Sequence, residues 1–498
     1  MTDLVLGIDV GTSGAKSLLV DGNGTVLASA VHHYPTSRTT TGQVEQDATG
    51  WWDGVVAAVR DTLTGIDPAR VSALALSAQG GALVCADSEG RPLAPARSWL
   101  DNRAVDAAAE LAARFGAHGF YERTGWRLGP RYNAAQLADL RATEPDLFGR
   151  TACFLDTAGF ITRRLTGKVA TDLNSSGITQ LLDAAGQCYD PEILDALGIT
   201  TDRLPTLVPT GTVIGPLTAA AADALGLPAG VLVVAGAHDQ YCAAVGAGAI
   251  DEETVLLSAG TAWVVLGSAA HPIADPQENF AFGSHAVPGL WGQFGSLLNG
   301  GSSLEWVRRL WGTDGVPLGF DQVNQDAAQV SAGADGLLFL PHFGGTVPDW
   351  NDASRGSFVG VDLIHERKHF LRATLEGIGA EAAALLSLHR RLNPAARRVR
   401  LIGGATRSPI WPQILADLAN VPIELPAVAD AACLGAAVIA AAGDPARIAE
   451  TSRRMVGEVA VREPGPDRDR YADQATVRQA FAEVLSATYG TTATPPRS

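Results

Sequence analysis

Residues 4–21 read LVLGIDVGTSGAKSLLVD. An apolar run ends in one aspartate, Asp9, and a second apolar run follows a Gly11-Thr12-Ser13-Gly14 turn. This is the pattern of a strand, a tight turn and a second strand. The turn offers backbone N–H groups, the hydroxyls of Thr12 and Ser13, and the Lys16 ammonium, all suited to phosphate oxygens. Turns of this composition also occur in plain hairpins. A carboxylate at the end of a buried strand, however, is costly unless it has a partner. Asp9 therefore favours a functional reading, and its oxygens suit a magnesium ion held directly or through water. A weaker copy, TVLLSAGTAWVVL, occupies residues 254–266 with Gly260 and Thr261 in its turn. One hairpin in each half predicts a duplicated fold that closes on a nucleotide from both sides.

The 498 residues suffice for two domains, and 46% hydrophobic with 18% charged residues fits well-packed globular ones. A formal net charge of −16 argues against nucleic-acid binding, which selects basic surfaces. ATP can still be held by a local nest of N–H groups with magnesium. Lysine occurs only at Lys16, Lys168 and Lys368, which singles out the one beside the turn. Cys85, Cys153, Cys188, Cys242 and Cys433 are odd in number with no C-x-x-C pair, so reduced thiols and a cytoplasmic location are expected. The start, MTDLVLGID, has no basic region and enters a strand at once, unlike a signal peptide. No apolar run reaches membrane-spanning length, so no membrane partner is expected. A homodimer stays open.

Strands are expected at Leu4–Asp9, Ser17–Val20 and Val26–Ala30, a helix at Trp51–Leu63 and a strand at Val71–Ser77 leading into a Gln-Gly-Gly loop. This β-β-β-α-β order suits an α/β domain. Trp51 and Trp52 read as packing residues. Gly129–Gly167 is mostly helical in pattern, and Val231–Ala235 reads as a buried strand before Gly236-Ala237-His238-Asp239. In the second half a long helix is expected over Lys368–Leu388 and a strand over Arg398–Ile402. Ser408-Pro409 should open a helix, with serine as N-cap and proline first in the helix. An alanine-rich helix is expected from Ala431. These elements suggest an N-terminal domain over 1–249, a C-terminal domain over 250–445, and a helical extension over 446–498 that is loose after Ala487.

Together the motifs resemble the FGGY family of carbohydrate kinases, most nearly its xylulokinase branch, over residues 4 to 442. Asp9-Val10-Gly11-Thr12-Ser13 is similar to its first phosphate motif and Ser258-Ala259-Gly260-Thr261 to its second. Gly236 to Asp239, with Gly246 and Gly248, resembles its catalytic-aspartate segment. Gly301 with Glu305-Trp306 resembles a helix bordering the nucleotide. Residues 356–377, GSFVGVDLIHERKHFLRATLEG, fit the C-terminal signature throughout. Gly403 to Ser408, with Leu434 to Ala437, resembles the adenosine region. The resemblance implies an α/β fold of two actin-like, ribonuclease-H-like domains around a nucleotide-binding cleft. It implies ATP across the cleft and a small sugar or polyol deep on the N-terminal side.

On this reading Asp239 is the candidate base, taking the proton of the attacking hydroxyl. It follows a buried strand and is flanked by small residues that let substrate approach; an N-cap role for the next helix is its plain alternative. Thr12, Ser13 and Lys16 would hold phosphate from one domain and Gly260 and Thr261 from the other, with Mg2+ near Asp9. Gly301, Gly404, Ala405 and Ser408 would border the nucleotide. Gln79, His238, Asp101 and Arg103 are candidate sugar residues, the last two in a W-x-D-x-R segment whose alternative is a surface ion pair. Xylulokinases carry Gly-Gln-Met-His-Gly where this chain has Ala78-Gln79-Gly80-Gly81-Ala82. Gly80 and Gly81 are thus expected to leave room in the sugar pocket. Gln136 and Asp139 replace a lysine and a tryptophan, and Ala405 ends the adenosine glycine triplet.

Overall fold

The structure is a computed structural model that describes residues 4–39, 42–297, 299–343, 354–428 and 430–491. The first half is built on β1 (Leu4–Val10), β2 (Gly14–Val20), β3 (Val26–His33), β4 (Val71–Ala78), β5 (Val213–Pro216) and β6 (Leu232–His238). They form one sheet in the order β5-β6-β4-β1-β2-β3. The second half uses β7 (Thr254–Ala259), β8 (Trp263–Ala269), β9 (Ala281–Ser284), β10 (Trp291–Leu297), β11 (Arg398–Gly403), β12 (Ile423–Pro426) and β13 (Val459–Arg462). Their order is β9-β10-β8-β7-β11-β12-β13.

The two sheets repeat one plan. In the first, β1-β2-β3 is an antiparallel meander, and β4 and then β6 join in parallel beside β1. In the second, β7, β8 and β10 pair antiparallel, and β11 and then β12 join in parallel beside β7. Every residue of β1 is buried, which is why that strand reads as an almost unbroken apolar run. The stretch expected as a purely helical extension also supplies β13, which closes the edge of the second sheet beside β12.

Seven helices position the site: α1 (Ala48–Thr62), α2 (Asp239–Ala247), α3 (Gly301–Leu310), α4 (Arg367–Leu392), α5 (Trp411–Ala419), α6 (Ala431–Ala442) and α7 (Arg468–Thr491). Trp51 of α1 is fully buried, edge-on to Phe160, in the core of the first half. Further helices between 105 and 204 cap that half around their own apolar cluster. The helix α7 continues to Thr491, past the expected end of order at Ala487; residues 492–498 lie outside the described residues. Among the described residues no helix is long and apolar enough to cross a membrane.

The helices α2 and α6 lie between the sheets, and one buried cluster joins both helices to strands of both halves. Their backbones touch. A Cβ at Gly435 would be driven into the carbonyl oxygen of Cys242, one at Gly246 into that of Ala431, and one at Gly7 into that of Cys433. Glycine is required there by close approach, not by φ. Gly246 therefore serves helix packing, and Gly248 ends α2 in the left-handed conformation. Two similar sheets with two helices crossing between them make the two-domain actin-like architecture.

Candidate active site

The parallel strands β1, β4 and β6 stop at one level: Asp9 and Ala237 both lie opposite Ser77. Just beyond these ends come Gly11, Gln79 and Asp239. Across the cleft β7 and β11 end together, with Ala259 opposite Gly403, and Gly260-Thr261 and Gly404 follow. The chemistry-bearing residues thus collect outside the carboxyl ends of parallel strands, where open α/β sheets form their binding crevices.

Asp9 is 7% exposed, and Ser77 Oγ donates to its Oδ1 at 2.7 Å. Burial, with the nearby Asp430 carboxylate, raises its pKa from 3.8 to about 7; Lys16 and Ser77 oppose the shift, and Asp239 adds to it. Lys16 Nζ lies 3.9 Å from Asp9 Oδ2 and donates to Asp430 Oδ2 at 2.9 Å. Asp430 Oδ1 meanwhile accepts the Cys433 N–H at 3.1 Å and caps α6. Sequence reading missed Asp430. Before an alanine-rich run it looks like an ordinary N-cap, and nothing local signals a partner 414 residues away.

The first turn is tighter than expected, because β2 already begins at Gly14 and the Gly11 N–H donates to the Gly14 carbonyl at 3.1 Å. Thr12 is tied to Gln46, Thr36 and Trp99. Its carbonyl accepts from Gln46 Nε2 at 2.6 Å and Thr36 Oγ1 at 3.1 Å, and its hydroxyl accepts from Trp99 Nε1 at 2.9 Å. Ser13 is exposed, and the Lys16 side chain is 46% exposed. In the second hairpin Gly260 and Thr261 are exposed, and their carbonyls accept from the Gly301 and Ser302 N–H groups at 3.2 and 3.1 Å. A side chain at Gly301 would strike the Gly260 carbonyl, so Gly301 seats α3 against the hairpin.

The adenosine-type segment divides. At Gly404 a Cβ would make only an ordinary contact, 3.7 Å from the Ala259 carbonyl oxygen, whereas Ala405 is buried in the second core. Ser408 Oγ donates to Asn324 Oδ1 at 2.6 Å and accepts the Trp411 N–H at 3.0 Å. The helix expected to open at Ser408-Pro409 instead starts at Trp411 with Ile410 as cap and Pro412 in its first turn, and Ser408 satisfies it from outside.

Beyond the end of β6, Asp239 is the first residue of α2 and His238 is the N-cap, so the N-cap alternative for Asp239 does not hold. His238 Nδ1 accepts the Gln240 N–H at 3.4 Å. It therefore has no proton to offer Asp239 Oδ1, 3.3 Å away, and that oxygen is buried without a hydrogen-bond partner. Gln79 Nε2 donates to Gln46 Oε1 at 3.0 Å, and Gln79 Oε1 is likewise buried without a partner. Two orphaned acceptors thus follow the ends of adjacent strands, β4 and β6.

Gly80 and Gly81 do not leave an open space. A Cβ at Gly80 would lie 2.6 Å from His238 Cδ2 and 2.7 Å from Ile178 Cγ2. The imidazole of His238, packed edge-on to Tyr241 and Phe294, fills the room that a larger residue 80 would take. Gly81 has φ +74°, where a side chain is strained, and a Cβ there would lie 3.1 Å from Trp99 Cβ. Asp101 and Arg103 form a buried ion pair, not a surface one. The Asp101 oxygens accept from the Val44 N–H at 2.8 Å and from the Arg103 guanidinium, which also reaches Glu45 at 2.6 Å. Burial pushes the Asp101 carboxyl up, but hydrogen bonds from Arg103 and Val44 outweigh it and hold the pKa low. With both oxygens engaged, the pair braces the Trp99 loop against strand 44–46. Arg97, beside that loop, is paired with Asp139 at 2.6 Å. Trp99 and Gln46, both wired to Thr12, were also missed; the W-x-D-x-R segment did contain the signal for the tryptophan. A cavity of about 500 Å3 lies elsewhere, between α4, α5 and α7, and shares none of these residues.

The N-terminal domain of the FGGY carbohydrate kinases matches residues 4–246, and the family's C-terminal domain matches residues 255–443. The chain belongs to the FGGY family of carbohydrate kinases. It is 30% identical to a xylulose kinase of Bacillus subtilis over 442 residues, 88% of each chain. It is 27% identical to a gluconokinase of the same organism over 448 residues, 88% of this chain and 87% of that one. The crystal structure of ligand-bound xylulose kinase from Lactobacillus acidophilus superposes with a TM-score of 0.90 at 27% identity, covering 99% of this chain and all of the other. This FGGY chain is thus a sugar kinase.

Proposed function

We propose that this kinase transfers the γ-phosphoryl group of ATP to a hydroxyl of a pentulose such as D-xylulose. One observation carries the sugar site: the orphaned acceptors Gln79 Oε1 and Asp239 Oδ1, at the ends of neighbouring strands beside the Asp9–Lys16 cluster. A polyhydroxyl ligand supplies the donors that they lack, and leaving such atoms unpaired costs roughly 1–3 kcal/mol each. The names of the xylulose kinase relatives support the pentulose.

In the reaction the sugar hydroxyl oxygen attacks the γ-phosphorus. The new O–P bond forms as the bond from phosphorus to the β,γ-bridging oxygen breaks, ADP departs, and the hydroxyl proton passes to Asp239. Phosphoryl transfer needs mainly positioning and charge neutralisation. Ser13 and Lys16 from one hairpin and the backbone of Gly260 and Thr261 from the other provide donors on the two sides of the phosphates. Gly404 borders the adenosine by backbone.

Carboxylate oxygens suit Mg2+, and the buried, charge-crowded Asp9 is a fitting donor for it. When bound, the ion would neutralise phosphate charge there. Asp9→Asn keeps the acceptor for Ser77 but not the charge. It is expected to raise the KM for Mg-ATP by roughly 10–100-fold and leave the sugar KM unchanged. An effect confined to the sugar KM would remove Asp9 from the nucleotide side.

A second reading, another ketose, a polyol or an aldonic acid such as gluconate, is favoured by the exchange of a loop side chain for His238 at Gly80. The gluconokinase relative at similar identity supports it too. A coupled ADP-release screen over pentuloses, hexuloses, polyols and gluconate decides between them. Best kcat/KM on D-xylulose upholds the pentulose. Gly80→Ala should displace the imidazole and raise the KM of the preferred sugar several-fold, about 1 kcal/mol, with ATP use intact. An unchanged sugar KM would detach His238 from the pocket.

A further inference from the structure

Lys16 is held from both halves of the molecule. It stands on β2 of the first sheet, and its ammonium donates to Asp430, the cap of α6, while facing Asp9 at 3.9 Å. The bond to Asp430, at 2.9 Å, is the stronger one. Asp430 has two separate tasks, one per oxygen: Oδ1 caps the helix through Cys433, and Oδ2 holds Lys16. A cap needs no reach across the cleft, so the second contact requires its own explanation. An ammonium has three donors. Held at its end by Asp430, Lys16 keeps donors free beside the first hairpin and is drawn away from Asp9. Without Asp430, the Asp9 carboxylate is the one remaining partner among the described residues, and the cation would settle on it.

We propose that Asp430 is a positioning residue for nucleotide use. It holds the Lys16 ammonium between the two halves, ready for the phosphates, and keeps it off Asp9. This rests on the proposed phosphate role of the first hairpin. Gly7, which lets α6 lie against β1, places the N-terminus of α6 within reach of β2. The sheet-to-helix packing and the charge placement are therefore one device.

The test is a double-mutant cycle in the full-length kinase. Asp430→Asn keeps the cap, since asparagine caps as well as aspartate, and removes the charge and the acceptor that hold Lys16. It should raise the KM for Mg-ATP about fivefold, in keeping with a half-exposed ion pair, with the sugar KM and the thermal midpoint unchanged. Asp430→Glu, which keeps the charge, should recover part of the loss. In a Lys16→Met background Asp430→Asn should add nothing, because the effect acts through the lysine. Additive losses in the double variant, an unchanged KM for Mg-ATP in Asp430→Asn, or an equal rise in sugar KM would each overturn the proposal. If Lys16→Met alone leaves the KM for Mg-ATP unchanged, the phosphate role of the hairpin fails first. If Lys16→Met weakens nucleotide use and Asp430→Asn does not, only the role of Asp430 falls.

Discussion

Asp239→Asn is expected to lower kcat by ~10²–10⁴-fold, the usual range for loss of a general base, while ATP still binds. The side chain is well placed for a clean test. It does not cap α2, which His238 does, and its Oδ1 makes no hydrogen bond that the fold needs. The only structural role it loses is a negative charge in the first turn of a helix, worth about 0.3–1 kcal/mol. The amide keeps the shape but cannot accept a proton at neutral pH. Steady-state turnover, calorimetric ATP binding and circular dichroism on the same preparation separate chemistry from folding. A folded variant retaining more than half of wild-type turnover would sink the assignment of the base.

Gly435→Ala is expected to have the largest effect on stability. The added methyl would meet the backbone of Cys242, and a carbonyl in a helix cannot swing aside as a side-chain end can. The helices α2 and α6 must separate, and the cluster that joins both sheets loosens with them. Overpacking of this kind costs roughly 3 kcal/mol or more, so a fall in Tm of roughly 3 °C or more is expected for a chain of this size. Activity at permissive temperature should fall too, because the crossing helices set the cleft. Gly119→Ala is the control: it lies in the helix Ala117–Thr124 with nothing within 4 Å of the new methyl. Equal melting of the two variants would show that the helix crossing has slack.

The elements most legible in the sequence were those whose signal is local. The run into Asp9 reads as a buried strand because β1 has neighbours on both faces. The second hairpin and the long helix α4 follow from alternation and helical spacing in the same way. Asp9, Lys16, Gln79 and Asp239 could be picked out because a polar residue at the end of an apolar strand is costly without a task. Local readings failed where a neighbour distant in the chain intervened. Ser408 caps from outside its helix because Asn324 also holds its hydroxyl. Asp101 and Arg103 read as sugar residues or a surface ion pair until strand 44–46 is laid beside them.

What the sequence by itself determined is the duplicated α/β plan, the two phosphate-type turns and the membership of a kinase family, since each depends on residue types at short spacings. What only the tertiary structure decided is what fills the space between distant segments. Gly80 and Gly81 read as an opening, yet His238, 158 residues on (238 − 80), occupies the room at Gly80. Gly246 read as part of the catalytic-aspartate segment, yet the backbone of α6 lies against it. Asp430 read as a helix cap, yet its second oxygen holds Lys16 across the cleft. The physical reason is common to all three: a glycine or a carboxylate records that something comes close, but its partner is chosen by how the two sheets pack.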